Sequence, residues 1–369
     1  MHFTIYCFII GILILYGLFI CAAVVGWIRN SALTDPATNY ISDCSIIVAV
    51  RNEYNNLDNL ITCILKQNNF PAKWELILVD DHSEDGSVEI ISRYAEEHAN
   101  IRAFRLDTDQ FGKKAAIARG LKHSRYNIVV QTDADCHFHA GWLGALLRPF
   151  VSGADLAIGP VLYVPADGLL NSIFRLEFLS MVISGGGMAN VGKPVFCNAA
   201  NMAYRRDIAQ NLVQESKSAS GDDVFLLHAF KRAGRNIQFV KDRESIVRTD
   251  APANIRAFIN QRIRWGSKAK YYTDIETILL SLLVATINIA LVSIFVGVLL
   301  FGCWEYFAVL LGVKMIADMV LFSVSLPFFD EGILLFYVPI MSIIYPFYIA
   351  FASIYSIFAH YEWKGRRHF

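Results

Sequence analysis

The chain has 369 residues, of which 55% are hydrophobic and only 18% charged, with Lys+Arg and Asp+Glu both totalling 33. A soluble chain carries about a quarter charged residues, so this composition excludes an ordinary pair of soluble domains. The zero net charge excludes a bulk polyanion binder, and no nucleic-acid partner is expected. Charges crowd the middle of the chain and leave both ends nearly bare, the pattern of a membrane protein with a soluble centre. Seven cysteines, scattered and without a C-x-x-C pair, indicate neither a disulfide framework nor a zinc site. Reduced thiols on the cytosolic side are expected.

In chain order, the first element is an apolar run from about Phe3 to Ile28, long enough to cross a bilayer. It lacks a basic n-region and a short apolar core, so residues 1–28 are expected to be an uncleaved anchor rather than a cleaved signal peptide. Between Ser42 and about Arg248, strand and helix signals alternate. Cys44 to Val50 reads as a buried strand and Asn56 to Lys66 as a helix. Trp74 to Val79 reads as a strand ending at Asp80-Asp81, followed by a helix from Ser87 to Glu97 that Asp85 or Ser83 would cap. Ile101 to Leu106, a helix over Lys113 to Lys122 and the strand Asn127 to Gln131 follow. Strands separated by such helices predict a mainly parallel α/β sheet covered on both faces, with ligands beyond the carboxyl ends of its strands.

Leu169 to Ile183 is amphipathic and contains Arg175 and Glu177, and Ser184-Gly185-Gly186-Gly187 after it reads as a loop. Residues 251–274 are expected to form an amphipathic segment with Ile255, Phe258, Ile259 and Ile263 at helical spacing. Its basic residues Arg256, Arg262, Lys268 and Lys270 suit the headgroups of an anionic leaflet. Residues 275–361 hold about three membrane segments, the second containing Lys314 and Asp318 one turn apart, and 362–369 form a basic tail. Three spans after a soluble cytosolic block would leave that tail outside, against the positive-inside tendency. One segment is therefore expected to be interfacial or re-entrant.

The chemistry is carried by acidic groups. Asp80-Asp81 and Asp133-Ala134-Asp135 both follow apolar strands. Carboxylates at alternating positions of an extended segment point the same way, so Asp133 and Asp135 can converge on one hard cation. Lys113 and Lys114, in a helix between the two pairs, would offset phosphate charge. Together they point to a nucleotide-diphosphate site. A third pair, Asp222-Asp223, precedes an apolar helix. Taken alone, a helix cap by Asp222 is the better account of it, the functional alternative being a general base. Gln261-Arg-Ile-Arg264-Trp265 lies just before the membrane segments.

Taken in this order, Asp80-Asp81, Asp133-x-Asp135, Asp222-Asp223 and Gln261-x-x-Arg264-Trp265 resemble the family 2 glycosyltransferases. The likeness is to the membrane-embedded branch that includes cellulose, hyaluronan and poly-N-acetylglucosamine synthases and ceramide glucosyltransferase-like enzymes. Val48 to Glu53, Gly112-Lys113 and Phe196 to Met202 add to it. The resemblance implies a GT-A type domain over residues 42–250, flanked by transmembrane helices. It also implies nucleotide-sugar contacts from Glu53, Asp80, Asp81, Lys113, Asp133, Gln261 and Arg264, with Asp81 at the uridine base. Asp133 and Asp135 would hold Mg2+ or Mn2+, Asp223 would be the catalytic base, and Asn201, Asp222 and Trp265 would line the acceptor site. Asp222 stands where the family usually has Glu, and Cys197-Asn198 where several synthases have Cys-Gly.

The expectation is an inverting, membrane-anchored transferase with its catalytic domain on the cytosolic side of the cell membrane. It would use a nucleotide-sugar donor, a UDP-sugar, and a lipid-linked or short saccharide acceptor, with membrane lipids, a homo-oligomer or accessory envelope proteins as further partners. A processive polysaccharide synthase and a non-catalytic nucleotide-binding regulator of a small channel or transporter are the alternatives.

Overall fold

A computed structural model describes residues 2–29, 42–68, 71, 73–212, 222–302, 304–358, 361–363 and 366–368. Gly221 of the third acidic motif and Lys364 and Gly365 of the tail lie outside these. The helices are α1 (His2–Arg29), α2 (Tyr54–Leu65), α3 (Ser87–Glu97), α4 (Lys113–His123), α5 (Trp142–Leu147), α6 (Leu169–Asn190), α7 (Arg206–Leu212), α8 (Asp222–Arg232), α9 (Ile255–Gly266), α10 (Ile275–Phe301), α11 (Trp304–Ser325) and α12 (Val338–Phe358). The strands are β1 (Cys44–Val50), β2 (Trp74–Asp80), β3 (Ile101–Arg105), β4 (Ile128–Asp133), β5 (His137–Phe138), β6 (Leu156–Ile158), β7 (Val161–Tyr163), β8 (Met202–Arg205), β9 (Ile237–Phe239) and β10 (Val247–Thr249), with a short terminal pair, β11 (Tyr361–Trp363) and β12 (Arg366–His368).

Contacts divide the chain into two units. A sheet unit comprises Asn30–Val164 and Pro194–Asp250, and a helical unit comprises Met1–Arg29, Pro165–Lys193 and Ala251–Phe369. The chain therefore passes from one unit to the other at 29/30, 164/165, 193/194 and 250/251.

The sheet unit is built on a seven-stranded sheet of order β3-β2-β1-β4-β8-β6-β9. β1, β2, β3 and β4 run parallel, as their uninterrupted apolar runs require of strands covered on both faces. Ile46, Ile47 and Val48 of β1 and Leu76 to Val79 of β2 are fully buried, as are Leu57, Leu60, Ile61 and Ile64, which recur at helical spacing along α2. β8 is antiparallel to both of its neighbours. A second, three-stranded sheet has the order β5-β10-β7.

In the helical unit, four helices are long and apolar enough to cross a membrane: Tyr6–Arg29, Ile275–Phe301, Trp304–Phe329 and Gly332–Tyr355. Several polar side chains inside it are paired. Lys314 reaches Asp318 at 2.7 Å, and the Tyr16 hydroxyl of α1 donates to the same carboxylate at 2.5 Å. Arg175 pairs with Glu331.

Two sequence expectations are corrected here. The run Ser184 to Gly187 is not a loop but lies inside α6. A Cβ on Gly187 would strike the backbone carbonyl of Ala23, and one on Gly26 would strike that of Gly187, so the glycines let α1 and α6 touch backbone to backbone. Loops tolerate Gly-rich runs for their freedom, but Gly187 of this run serves close approach. Second, Arg262 and Lys268 do not face headgroups. Both are buried, at 5% and 7% exposure, and Arg262 is paired with Glu177.

Candidate active site

The register of the parallel strands places the acidic residues. β1 aligns Val50 with Asp80 and Ala49 with Asp133, so both aspartates emerge at one carboxyl edge. The loops beyond that edge are tied to each other. The Asn52 N–H donates to Ser83 Oγ (3.0 Å), Glu53 N–H to Ser87 Oγ (2.9 Å) and Glu84 N–H to Asn52 Oδ1 (2.9 Å). Asp85 accepts from Ser87 N–H at 3.1 Å and from Tyr54 N–H at 3.0 Å, so one carboxylate serves the starts of both α2 and α3. Burial works to raise its pKa, yet the bonds from the Ser87 hydroxyl and these amides lower it below the ordinary carboxylate value.

Asp80 and Asp81 are each only 2% exposed. Asp80 accepts from Ser83 N–H (3.1 Å) and pairs with Arg105 Nε (3.2 Å). Asp81 accepts from Gly112 N–H (3.0 Å) and lies 3.2 Å from His82 Nδ1, while Arg51 donates to its backbone carbonyl at 2.8 Å. His82 packs against Phe111, ring centroids 4.8 Å apart. Asp81 thus anchors the turn into α4 through the Gly112 amide.

That turn delivers Lys113, whose ammonium pairs with Asp133. Burial lowers the Lys113 pKa, but the charge and hydrogen bond of Asp133, followed by the charges of Asp223 and Asp135, raise it overall. Asp135 accepts from Thr249 Oγ1 at 2.9 Å. Burial first, then the Asp133 carboxylate, with Glu53 adding to them, hold Asp135 above its usual range against the opposing pull of Thr249 and Lys113. Glu53 itself accepts from Asn56 at 2.7 Å. Asp223, in the first turn of α8, accepts from its neighbour Val224 N–H (2.8 Å) and from Ala199 N–H (3.3 Å). Residues spread from 53 to 223 in sequence therefore share one electrostatic environment.

Among the described residues, no three His, Cys, Asp or Glu side chains form a metal-ligand cluster. The donor set instead offers two neighbouring carboxylates, one of which, Asp135, is held against ionisation first by partial burial and then by the charge of the other. A divalent cation removes that repulsion and has coordination sites left for phosphate oxygens, so Asp133 and Asp135 fit Mg2+ or Mn2+.

Asn201 is placed differently from the sequence expectation. It is wholly buried, its amide donates to Pro160 O (2.8 Å) and Ser245 O (2.7 Å), and its carbonyl accepts from Trp142 Nε1 (3.0 Å). With both N–H groups and its oxygen engaged, it bridges three segments and offers nothing to an acceptor. The Asp222 side chain lies outside the described residues. Gln261, Arg264 and Trp265 sit on α9 in the helical unit. Sequence reasoning missed Thr249, which carries no motif. It noticed Glu177 and Arg262 without pairing them, because they are 85 residues apart.

A mainly parallel sheet with its acidic constellation at the carboxyl edge is a GT-A type architecture. Residues 45–213 match the family model described as glycosyl transferase family 2. Glycosyltransferase AglE of Haloferax volcanii is 25% identical over 207 residues, covering 56% of this chain and 66% of that protein. A dolichol-phosphate mannosyltransferase of Mycosarcoma maydis is 31% identical over 134 residues, covering 33% of this chain and 45% of that one. The matched segments span less than two thirds of either relative. Among solved structures, the mannosyltransferase PcManGT from Pyrobaculum calidifontis, in complex with GDP-Man and Mn2+, shares the fold, with a TM-score of 0.59 at 17% identity over 94% of this chain and 97% of that one.

Proposed function

We propose that this chain transfers a sugar from a nucleotide-sugar, a UDP-sugar, to a hydroxyl of a lipid-linked or short saccharide acceptor at the cytosolic face of a membrane. The observation that carries this reading is the shared environment of Glu53, Lys113, Asp133, Asp135 and Asp223 at the carboxyl edge of the sheet. In this reading residues 42–250 are the catalytic domain, 251–274 an interfacial segment, and 1–28 and 275–361 its membrane anchors. The family resemblance supplies the further roles: Asp80 and Asp81 for the nucleoside, Gln261 and Arg264 for the diphosphate, and Trp265 and Asp222 for the acceptor. A relative named for dolichol phosphate supports a lipid acceptor.

Asp223 takes the proton of the attacking hydroxyl as its oxygen bonds to the anomeric carbon. The bond from that carbon to the diphosphate breaks on the opposite side, so a single displacement inverts the centre. Lys113 places a positive charge beside the carboxylates where the negative diphosphate departs. Mg2+ or Mn2+ held by Asp133 and Asp135 would supply Lewis-acid stabilisation of that leaving group.

The test uses the purified full-length protein with a panel of UDP-sugars and GDP-mannose, measuring nucleoside diphosphate release with Mn2+ or EDTA and with or without a lipid extract. Metal-dependent release from one donor, stimulated by lipid, is the expected outcome. A ladder of lengthening products would transfer the assignment to a polysaccharide synthase. No release from any donor would overturn the enzyme reading.

A further inference from the structure

Between Gln261 and Arg264 the motif helix carries Arg262, which is 5% exposed. Its Nε lies 2.8 and 2.9 Å from the two carboxylate oxygens of Glu177 on α6, and its Nη2 pairs with the same carboxylate. The remaining arm of the fork, Nη1, donates to Gln261 Oε1 at 2.8 Å. The flat guanidinium also lies 4.2 Å from the ring centroid of Trp265 and 4.7 Å from that of Phe258. Trp265 rests in turn against Phe178, one position beyond Glu177, at 5.8 Å. One cation therefore holds the first and last residues of the Gln261-x-x-Arg264-Trp265 motif, and one carboxylate holds that cation.

Stability does not account for this arrangement. Replacing a buried ion pair with apolar residues of similar volume is often neutral or stabilising. Orientation does account for it. The planar fork fixes direction as well as charge, which a lysine ammonium cannot do, and the ring lies where cation–π attraction holds it. We infer that Arg262 and Glu177 are positioning residues: Glu177 fixes the Arg262 fork, and that fork sets the Gln261 amide and the Trp265 ring in the pose in which they meet diphosphate and acceptor. The inference rests on the roles proposed above for Gln261 and Trp265.

The experiment uses the full-length protein in detergent, labelled with 5-fluorotryptophan, with the Trp265 resonance assigned from Trp265→Phe. The informative variant is the apolar pair Glu177→Leu with Arg262→Met, with Arg262→Lys beside it. The pair is expected to keep the wild-type unfolding temperature while the Trp265 fluorine resonance shifts and broadens. Turnover of the best UDP-sugar of the panel should fall by about 10²-fold, the scale of a misplaced binding group. Arg262→Lys, which keeps the charge and loses the fork, should move the same resonance, and it decides the matter if the apolar pair does not fold. A Trp265 resonance unchanged in a folded variant, or full turnover in the apolar pair, overturns the inference. If the wild-type protein turns over no donor, the proposed function fails while the fluorine spectra still decide whether Arg262 positions Trp265.

Discussion

Asn201→Ala separates a structural role from an acceptor-binding one. The substitution removes the donors to the Pro160 and Ser245 carbonyls and the acceptor of the Trp142 indole, all in a region closed to water. Each buried polar group left without its partner costs about 1–3 kcal/mol, so three of them cost at least about 3 kcal/mol. For a domain of this size 1 kcal/mol corresponds to about 2–4 °C, giving a fall of at least about 6 °C. Asn201→Asp should not rescue, because it presents acceptors to two carbonyls. Asn201→Gln should fail on space, since Gly159 packs so closely that even a Cβ there would strike the Asn201 amide. The assay is thermal unfolding of the full-length protein by near-UV circular dichroism, alongside the acceptor KM of folded material. Unfolding of Asn201→Ala within about 2 °C of wild type, a stability change of no more than about 1 kcal/mol, combined with a raised acceptor KM would refute this reasoning and return the residue to the acceptor site.

Other outcomes follow from the same geometry. The folded pKa of Asp135 is raised, so its ionised form disfavours the metal-free fold above that pKa, and the penalty fades as pH falls through it. Asp135→Asn should therefore unfold at the same or a higher temperature than wild type at neutral pH without metal, yet lose the stabilisation that MnCl2 gives. In the wild-type protein that Mn2+ stabilisation should shrink as the solution is acidified through the Asp135 pKa, as thermal scans across pH will show. Asp223→Asn should bind UDP with Mn2+ like wild type in calorimetry while turnover drops about 10²–10⁴-fold, the contribution of a general base; equal turnover would remove it from the chemistry. Gly187→Val should lower the yield and unfolding temperature of detergent-solubilised protein, whereas Gly11→Ala, where a Cβ meets nothing within 4 Å, should leave both unchanged.

The half of the fold that speaks through local pattern was readable. Strands β1, β2 and β4 announce themselves as unbroken apolar runs, and a parallel sheet directs attention to their carboxyl ends, where Asp80, Asp81, Asp133 and Asp135 stand. What escaped depends on partners distant in sequence. Gly185 to Gly187 look like a loop until α1 supplies a backbone for Gly187 to lie against. Asn201 sits in a motif and reads as a ligand contact until three segments converge on its amide. Arg262 looks like one more basic residue beside a membrane, and only Glu177, on another helix, makes it a buried anchor. The antiparallel insertion of β8 between β4 and β6 carries no local signal, because strand direction is set by the path of the connection rather than by the strand's own residues.

The four crossings between the sheet unit and the helical unit bear on how such a protein can change over evolutionary time. A domain tethered by one linker can be lost, duplicated or traded through a single recombination event. Here the helical unit is assembled from three separate stretches, one of them, α6, excised from within the sheet unit's own sequence. An exchange of either unit for a foreign one would have to splice correctly at all four junctions at once. The two units are therefore expected to have been inherited as one piece and to diverge together. A shortened gene that ends before residue 251, or begins after residue 29, encodes a helical unit with a missing wall rather than a free-standing transferase.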